Sequence, residues 1–411
     1  MSNRVSRLSP FIFPENVKQN SKKLECDNED PLELKLLVLS FNHKNIARFL
    51  QIILVALNII VFVFCIIGKS ILYNESDHFN NEVVLFINGL SDFLLMVVNI
   101  MAVVFFAGSP FLLEIFSFIS KRTYSVKRER KTFARFIKIL RVAPILPLCL
   151  NLYFFGFGIG WTVYKYFLAR DVWYYILNLM ICSFSCLINK LNYHYVALND
   201  HLEELSNSCP VVPDQKLCYL LGEINYPRLY QSARNVFDTG KFSKMVSHYN
   251  YLCNMLDKFN NYIKTYLVLV LMCLIINILY NCTVLIQYGA KPRVINGIHT
   301  NMYVFFVETM MAINSFGQAA LGAMIGEHIQ EEGERTTSTC FTMLMKLNHK
   351  NVKTEAEQRI VNELNFLLDL SKSRKISIHA GGFFELNWGI LGSITSTAAT
   401  YSIVIIQFLL K

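Results

Sequence analysis

The chain has 411 residues, of which 53% are hydrophobic and only 17% charged, and its mean hydropathy is +0.36. A soluble domain of this size carries about a quarter charged residues, so composition excludes an ordinary soluble protein and points to a bilayer. The net charge of +9 is gathered in particular segments. That distribution argues against a nucleic-acid partner and reads instead as a record of membrane topology.

Residues 1–45 are polar and mixed in charge, with no apolar run after a basic start, so a cytosolic N-terminal tail is expected. A first span is predicted from Ile46 to Ile67 and a second from Val83 to Ala107. The third, Ile137 to Val163, contains Pro144 and Pro147, which a membrane helix tolerates as kinks when neighbours cover the freed carbonyls. A fourth runs from Val172 to Val196, a fifth from Thr265 to Tyr288, and a sixth from Asn301 to Ile325. The final stretch, 383–411, supplies the seventh. The predicted fold is therefore an all-α membrane protein of seven transmembrane helices.

Orientation follows from the bias of Lys and Arg. The segment after the second span holds Lys121, Arg122, Lys127, Arg128, Arg130, Lys131, Arg135, Lys138 and Arg141. Alternate connections are poor, with Lys69 in one, Lys165 and Arg170 in the next, and Lys291 and Arg293 in the last. The basic side is read as cytosolic, which puts the N-terminus inside and the C-terminus outside. Asn74-Glu75-Ser76 is a glycosylation sequon on the side assigned as outside. Asn281-Cys282-Thr283 also matches but falls within the fifth span.

Two long cytosolic segments, 198–264 and 326–382, read as helical extensions. Phe242, Val246, Tyr249, Leu252, Cys253, Leu256 and Phe259 fall at helical spacing, as do Ile360, Leu364, Leu367 and Leu368. Such faces need something to bury against: each other, a neighbouring subunit, or the bilayer surface. Catalytic and metal signatures are not read anywhere in the chain. The eleven cysteines form no C-x-x-C pair; Cys182 and Cys186 lack a local partner, and Cys65 and Cys282 lie near outer span ends. No phosphate loop, nucleophile elbow or H-E-x-x-H occurs, so no enzyme, cofactor or metal site is expected.

The last run, Asn387 to Lys411, is uncharged up to its terminal lysine and long enough to cross a bilayer. Ser393, Thr400 and Gln407 recur every seven residues, with Ser396, Thr397 and Val404 beside them on one helical face. Unpaired polar groups are costly in hydrocarbon, so the stripe faces protein or water. It reads either as a packing face of small residues or as the lining of a pore.

Thr400-Tyr401, five residues Ser402 to Ile406, then Gln407-Phe408 resembles the C-terminal signature of insect gustatory receptors, with Ser402 where that family carries a hydrophobic residue. Ala380-Gly381-Gly382-Phe383-Phe384-Glu385-Leu386-Asn387 is similar to the turn entering that family's last helix. The resemblance implies a tastant-gated cation channel in the plasma membrane of sensory neurons, a homotetramer or a heteromer with other gustatory receptors. Its cytosolic helices would form a shared anchor, and 383–411 would line the pore. It implies a gate at Gln407 and Phe408, with Ser393, Thr397 and Thr400 along the wider path. Tyr401 is expected to pack against a neighbouring span. A G-protein-coupled receptor would need an external N-terminus and its own motifs, and a secondary transporter two related halves; neither pattern is visible.

Polar residues also recur at similar depth in the first six spans: Asn58, Asp92, Asn151, Asn178, Asn277 and Glu308, roughly 10–18 Å from the outer end at 1.5 Å per residue. Asn88 lies a turn from Asp92, and Tyr153 and Tyr280 add hydroxyls. These groups read either as bonds between helices or as a wet pocket for a small-molecule tastant. With Asp92 and Glu308 ionised the layer would be acidic and would favour a basic or hydroxyl-rich ligand. At close range the two carboxyls would instead share a proton. The sequence holds no short motif that separates sugar, bitter, carbon dioxide or pheromone ligands.

Overall fold

The computed structural model describes residues 44–75, 82–106, 111–112, 114–115, 131–154, 156, 160–208, 239–290, 294–295, 298–348 and 355–409. The N-terminal tail, apart from its last two residues, and the basic run 121–130 lie outside the described residues. So do the side chains of Asn74 and Phe408.

The described chain is almost wholly helical. Its elements are α1 (Lys44–Glu75), α2 (Glu82–Phe106), α3 (Lys131–Val142), α4 (Ile145–Tyr153), α5 (Trp161–Tyr164), α6 (Leu168–Ser208), α7 (Thr239–Ala290), α8 (Thr300–Asn348), α9 (Glu355–Ser373) and α10 (Trp388–Leu409). Two short antiparallel hairpins interrupt them: β1 (Val294–Ile295) with β2 (Ile298–His299), and β3 (His379–Ala380) with β4 (Phe384–Glu385). Six stretches, on α1, α2, α3–α4, α6, α7 and α8, are long and apolar enough to cross a membrane. The chain is a multi-pass membrane protein. The 22 residues of α10 measure about 33 Å, the thickness of a hydrocarbon core.

Most helices outrun the spans expected from hydropathy. α1 continues past Ile67 to Glu75, and α6 begins at Leu168, so Lys69 and Arg170 lie on helices instead of in connections. The third span departs most: it is broken into α3, α4 and α5. Pro144 has no amide hydrogen to donate and sits at the junction of α3 and α4, where its ring opposes the carbonyl ladder.

The chain forms two compact units. Among the described residues the first draws on 194–208, 239–256, 331–348 and 355–376, combining the latter parts of α6 and α8 with the start of α7 and with α9. Phe242, Val246, Tyr249, Leu252, Cys253 and Leu256 are buried in it, as are Ile360, Leu364, Leu367 and Leu368. A polar network ties it together. Asn199 donates to the carbonyl and carboxylate of Glu332, Thr336 donates to Asn199, and Arg335 bridges Asp200, Glu203 and Glu332. Arg374 reaches Asn254 and Asn250 of α7.

The second unit holds 44–193, 257–330 and 377–409 among the described residues. α1 exposes Phe49, Ile52, Ile60 and Ile67, as a lipid-facing helix does. The β3–β4 hairpin is clamped to α7. Asn260 donates to the Ser377 carbonyl (2.8 Å) and accepts from the His379 amide (3.3 Å), while the Gly381 amide donates to the Lys264 carbonyl (3.1 Å). Gly381 and Gly382 turn the hairpin at φ +65° and +78°, which side-chain-bearing residues rarely adopt. A Cβ on Gly326 of α8 would stand 1.7 Å from the Leu386 carbonyl oxygen. The hairpin and α8 can approach so closely only because that position is glycine. Asn387 then starts α10 by accepting the Gly389 amide (3.0 Å).

Candidate ligand site and gate helix

The polar residues predicted to share one layer are divided by the structure into several groups within the second unit. Lys69 of α1, only 5% exposed, pairs with Asp92 of α2, 2% exposed, and also reaches Asn88 (3.5 Å). Lys69 lies 4.5 Å from the Phe167 ring centroid. Arg170 of α6 approaches Asp92 at 4.0 Å and sits over Tyr280 of α7, its Cζ 3.3 Å from the ring centroid. Beside it Asp171 accepts from Tyr164 (3.1 Å) and Asn151 (3.3 Å), and Asn151 in turn accepts from Tyr303 (3.3 Å). Phe154 stacks on Tyr303 at 3.5 Å. Glu308 of α8 lies within electrostatic reach of both Arg170 and Asp171.

This arrangement corrects the expected acidic layer. Two cations, Lys69 and Arg170, accompany the three carboxyls of Asp92, Asp171 and Glu308, so the cluster presents both signs. Asp92 is paired with the Lys69 ammonium. Sequence reading missed Lys69, Arg170, Asp171, Tyr164 and Tyr303. The available signal was a basic residue at each of two helix ends flanked by apolar and aromatic residues, Ile66-Ile67-Gly68-Lys69 and Phe167-Leu168-Ala169-Arg170.

Other expected residues make hydrogen bonds between helices outside this cluster. Asn58 accepts the Trp173 indole N–H (2.8 Å) and donates to its own helix at Leu54. Asn178 donates to the Leu140 carbonyl (2.8 Å), just before the break at Pro144, and accepts from Gln318 (2.9 Å). Asn277 accepts from Ser91 (2.9 Å). Tyr153 points away from the cluster's interior, 65% exposed. Cys65 and Cys282, conceivable as a pair, are both free thiols. Among the described residues no group of His, Cys, Asp and Glu could hold a metal ion.

Among its described side chains α10 buries a narrow face. Ile390, Ile394 and Ala398, one turn apart in series, are 9%, 2% and 4% exposed, and Ser402 bonds Cys282 of α7. Ser393, Ser396, Thr400, Val404 and Gln407 stand exposed, with Thr397 at the edge. Ser393 and Thr400 donate to carbonyls four residues back in their own helix (3.1 and 2.9 Å), which satisfies each hydroxyl hydrogen without a tertiary partner. Tyr401 is 55% exposed, so it does not bury itself against a span of its own chain.

Three comparisons bear on these features. Over 97% of this chain and 94% of its own, the olfactory receptor OR5 of the insect Machilis hrabei, solved in complex with eugenol, shares the fold at a TM-score of 0.57 and 12% identity. A second structure of that receptor matches 87% of this chain and 88% of its own at 0.58, also at 12% identity. Gustatory receptor family protein 3 of Caenorhabditis elegans is 26% identical over 113 residues, 28% of this chain, which spans only 24% of that protein's length. The 7tm Chemosensory receptor family model matches residues 37–411, and the chain belongs to that family.

Proposed function

We propose that this chemosensory receptor is a subunit of a tastant-gated cation channel in the plasma membrane. The observation that carries the proposal is the exposed polar stripe of α10. A helix that, among its described side chains, buries Ile390, Ile394 and Ala398 within its own chain and exposes Ser393, Ser396, Thr400 and Gln407 needs water or copies of itself opposite. One such helix cannot enclose water, whereas several around an axis can. The reading therefore has seven spans, the N-terminus inside, and four subunits meeting along α10, either alone or with other gustatory receptors. Gln407 and Phe408 form the constriction, Phe408 as a dewetting barrier, and Thr397, Thr400 and Ser393 line the wider path.

The ligand site in this reading is the two-signed cluster around Asp92, Arg170 and Glu308, with Tyr280 and Tyr303 as aromatic walls. Eugenol in the insect olfactory receptor structure supports a small organic ligand. Here the buried charges favour one that bears polar or charged groups. Patch-clamp recording of the chain expressed in cells without background current provides the test. Phe408→Ala should leak without ligand, and Gln407 substitutions should alter ion selectivity. Closed-state current and selectivity unchanged in both variants would refute the gate.

A further inference from the structure

Two unlike charges of the cluster lie within electrostatic reach without closing an ion pair. Arg170 of α6 sits over Tyr280 and stands 4.0 Å from Asp92, which is already paired with Lys69. Glu308 of α8 feels both Arg170 and Asp171. Yet among the described residues neither Arg170 nor Glu308 makes a hydrogen bond, and no ion pair joins the two. Asp171 accepts from Tyr164 and Asn151 on Oδ2 alone, which leaves Oδ1 without a bonded partner.

These open atoms can be reached. Arg170, Asp171 and Glu308 are each half-buried. The polar atoms that are both sealed off and unbonded include Asp92 Oδ1, but none of the Arg170 nitrogens, the Glu308 oxygens or Asp171 Oδ1. Each of these therefore keeps accessible surface. Ionisable groups left unbonded within a membrane span are unfavourable, so this gap calls for a partner. An anion would satisfy Arg170 but would face the carboxyls of Asp171 and Glu308. A cation would satisfy those carboxyls and leave the guanidinium N–H groups unbonded. A molecule that carries both signs satisfies all three.

We propose that the gap binds the zwitterion of a small neutral α-amino acid, its carboxylate accepting from the Arg170 guanidinium and its ammonium donating to Glu308 and to Asp171 Oδ1. The planar guanidinium, placed over Tyr280, presents paired N–H groups that match a carboxylate. A primary ammonium has enough N–H donors for both protein carboxyls. Tyr303, bonded to Asn151 and stacked on Phe154, adds an aromatic surface for a short side chain. The inference rests on the reading of this cluster as the ligand site and names the class of ligand. The headgroup of phosphatidylethanolamine carries the same two signs and is the other source of this chemistry.

The test uses the purified full chain in phosphatidylcholine nanodiscs, with tritiated glycine as the probe in a scintillation proximity assay. Saturable binding is expected, displaced by unlabelled glycine and L-alanine. Glycinamide lacks the carboxylate, N-acetylglycine lacks the ammonium and betaine lacks N–H donors, so none of these should displace it. Glu308→Gln should weaken glycine binding about tenfold, the loss of a charge-assisted hydrogen bond. Its size-exclusion profile should be unchanged, because that carboxyl bonds to no other described residue. Arg170→Lys, which keeps a positive charge beside Asp92, should weaken binding similarly by losing the paired N–H groups. Equal displacement by glycinamide or N-acetylglycine, undiminished binding in both variants, or a gap that takes up water alone and shows no saturable binding would overturn the proposal. Loss of glycine binding in nanodiscs containing phosphatidylethanolamine would assign the gap to that headgroup and overturn it too. Patch-clamp recording separates this inference from the wider reading. Glycine that binds as described but evokes no current leaves the amino-acid site standing and counts against gating through it. Currents evoked by compounds without paired charges, shifted in potency by Glu308→Gln and with no glycine binding, would keep the ligand site and refute its amino-acid class.

Discussion

Removing the charge of Asp92 should destabilise the protein more than removing that of Lys69, although the two form one ion pair. Asp92→Asn leaves Lys69 and Arg170, side chains 6% and 11% exposed, facing each other without the anion between them. Breaking a buried pair so that charge stays uncompensated costs about 3–5 kcal/mol. Lys69→Met is milder, because Asp92 keeps Arg170 at 4.0 Å. Unit charges at that distance attract by about 4 kcal/mol at an effective dielectric constant of 20, and part of this survives side-chain adjustment. The expected loss for Lys69→Met is therefore about 1–3 kcal/mol. The double variant Lys69→Met/Asp92→Asn should cost less than the sum of the two, since neither group is then left charged and alone. Reversible unfolding of the purified chain in mixed micelles, run as a double-mutant cycle, measures all three. A Lys69→Met loss equal to or larger than that of Asp92→Asn, or a coupling energy below about 0.5 kcal/mol, would refute the reasoning.

Gly326→Ala should prevent the β3–β4 hairpin from docking, because its Cβ would fall 1.7 Å from a backbone carbonyl that cannot rotate away. Fluorescence-detected size exclusion should show loss of the monodisperse peak for Gly326→Ala but not for Gly322→Ala. In the first unit, Arg335→Ala should cost about 1–3 kcal/mol by stranding Glu332, whose side chain is 8% exposed, whereas Glu203→Gln, at 44% exposed, should change stability by less than about 1 kcal/mol. The Arg335 guanidinium hydrogen-bonded to Glu203 holds that carboxyl below its ordinary 4.5. Its contribution is thus present above that pH and lost as pH falls further, and acid unfolding of the parent and Glu203→Gln chains should converge there. Burial pushes the Cys340 thiol from 9.0 up to about 12. A raised thiol pKa favours the folded state fully below about pH 9 and progressively less as pH climbs toward 12. Unfolding midpoints should therefore fall more steeply with alkaline pH in the parent than in Cys340→Ala.

Features that depend on neighbours along the chain are legible in the amino-acid order itself. Apolar runs mark the membrane helices, since span length follows from bilayer thickness. Helical spacing picks out the faces at 242–256 and 360–368, all buried, because amphipathic periodicity is a local property. The stripe on α10 is likewise readable, as is the turn that leads into it. What the linear order cannot reveal is pairing between helices. Lys69 and Asp92 are 23 positions apart and Asn199 and Glu332 are 133 apart, and no spacing rule links such residues. Hydropathy ends α1 and begins α6 too close to the apolar centre, which assigns Lys69 and Arg170 to connections; their carboxylate partners and the Phe167 and Tyr280 rings make burial of these cations tolerable. The same limit hides the hold of Asn260 on the hairpin and the steric need for Gly326. Each is a property of segments distant in the chain and brought together by tertiary packing, and burial energy of that kind is decided by neighbours in space.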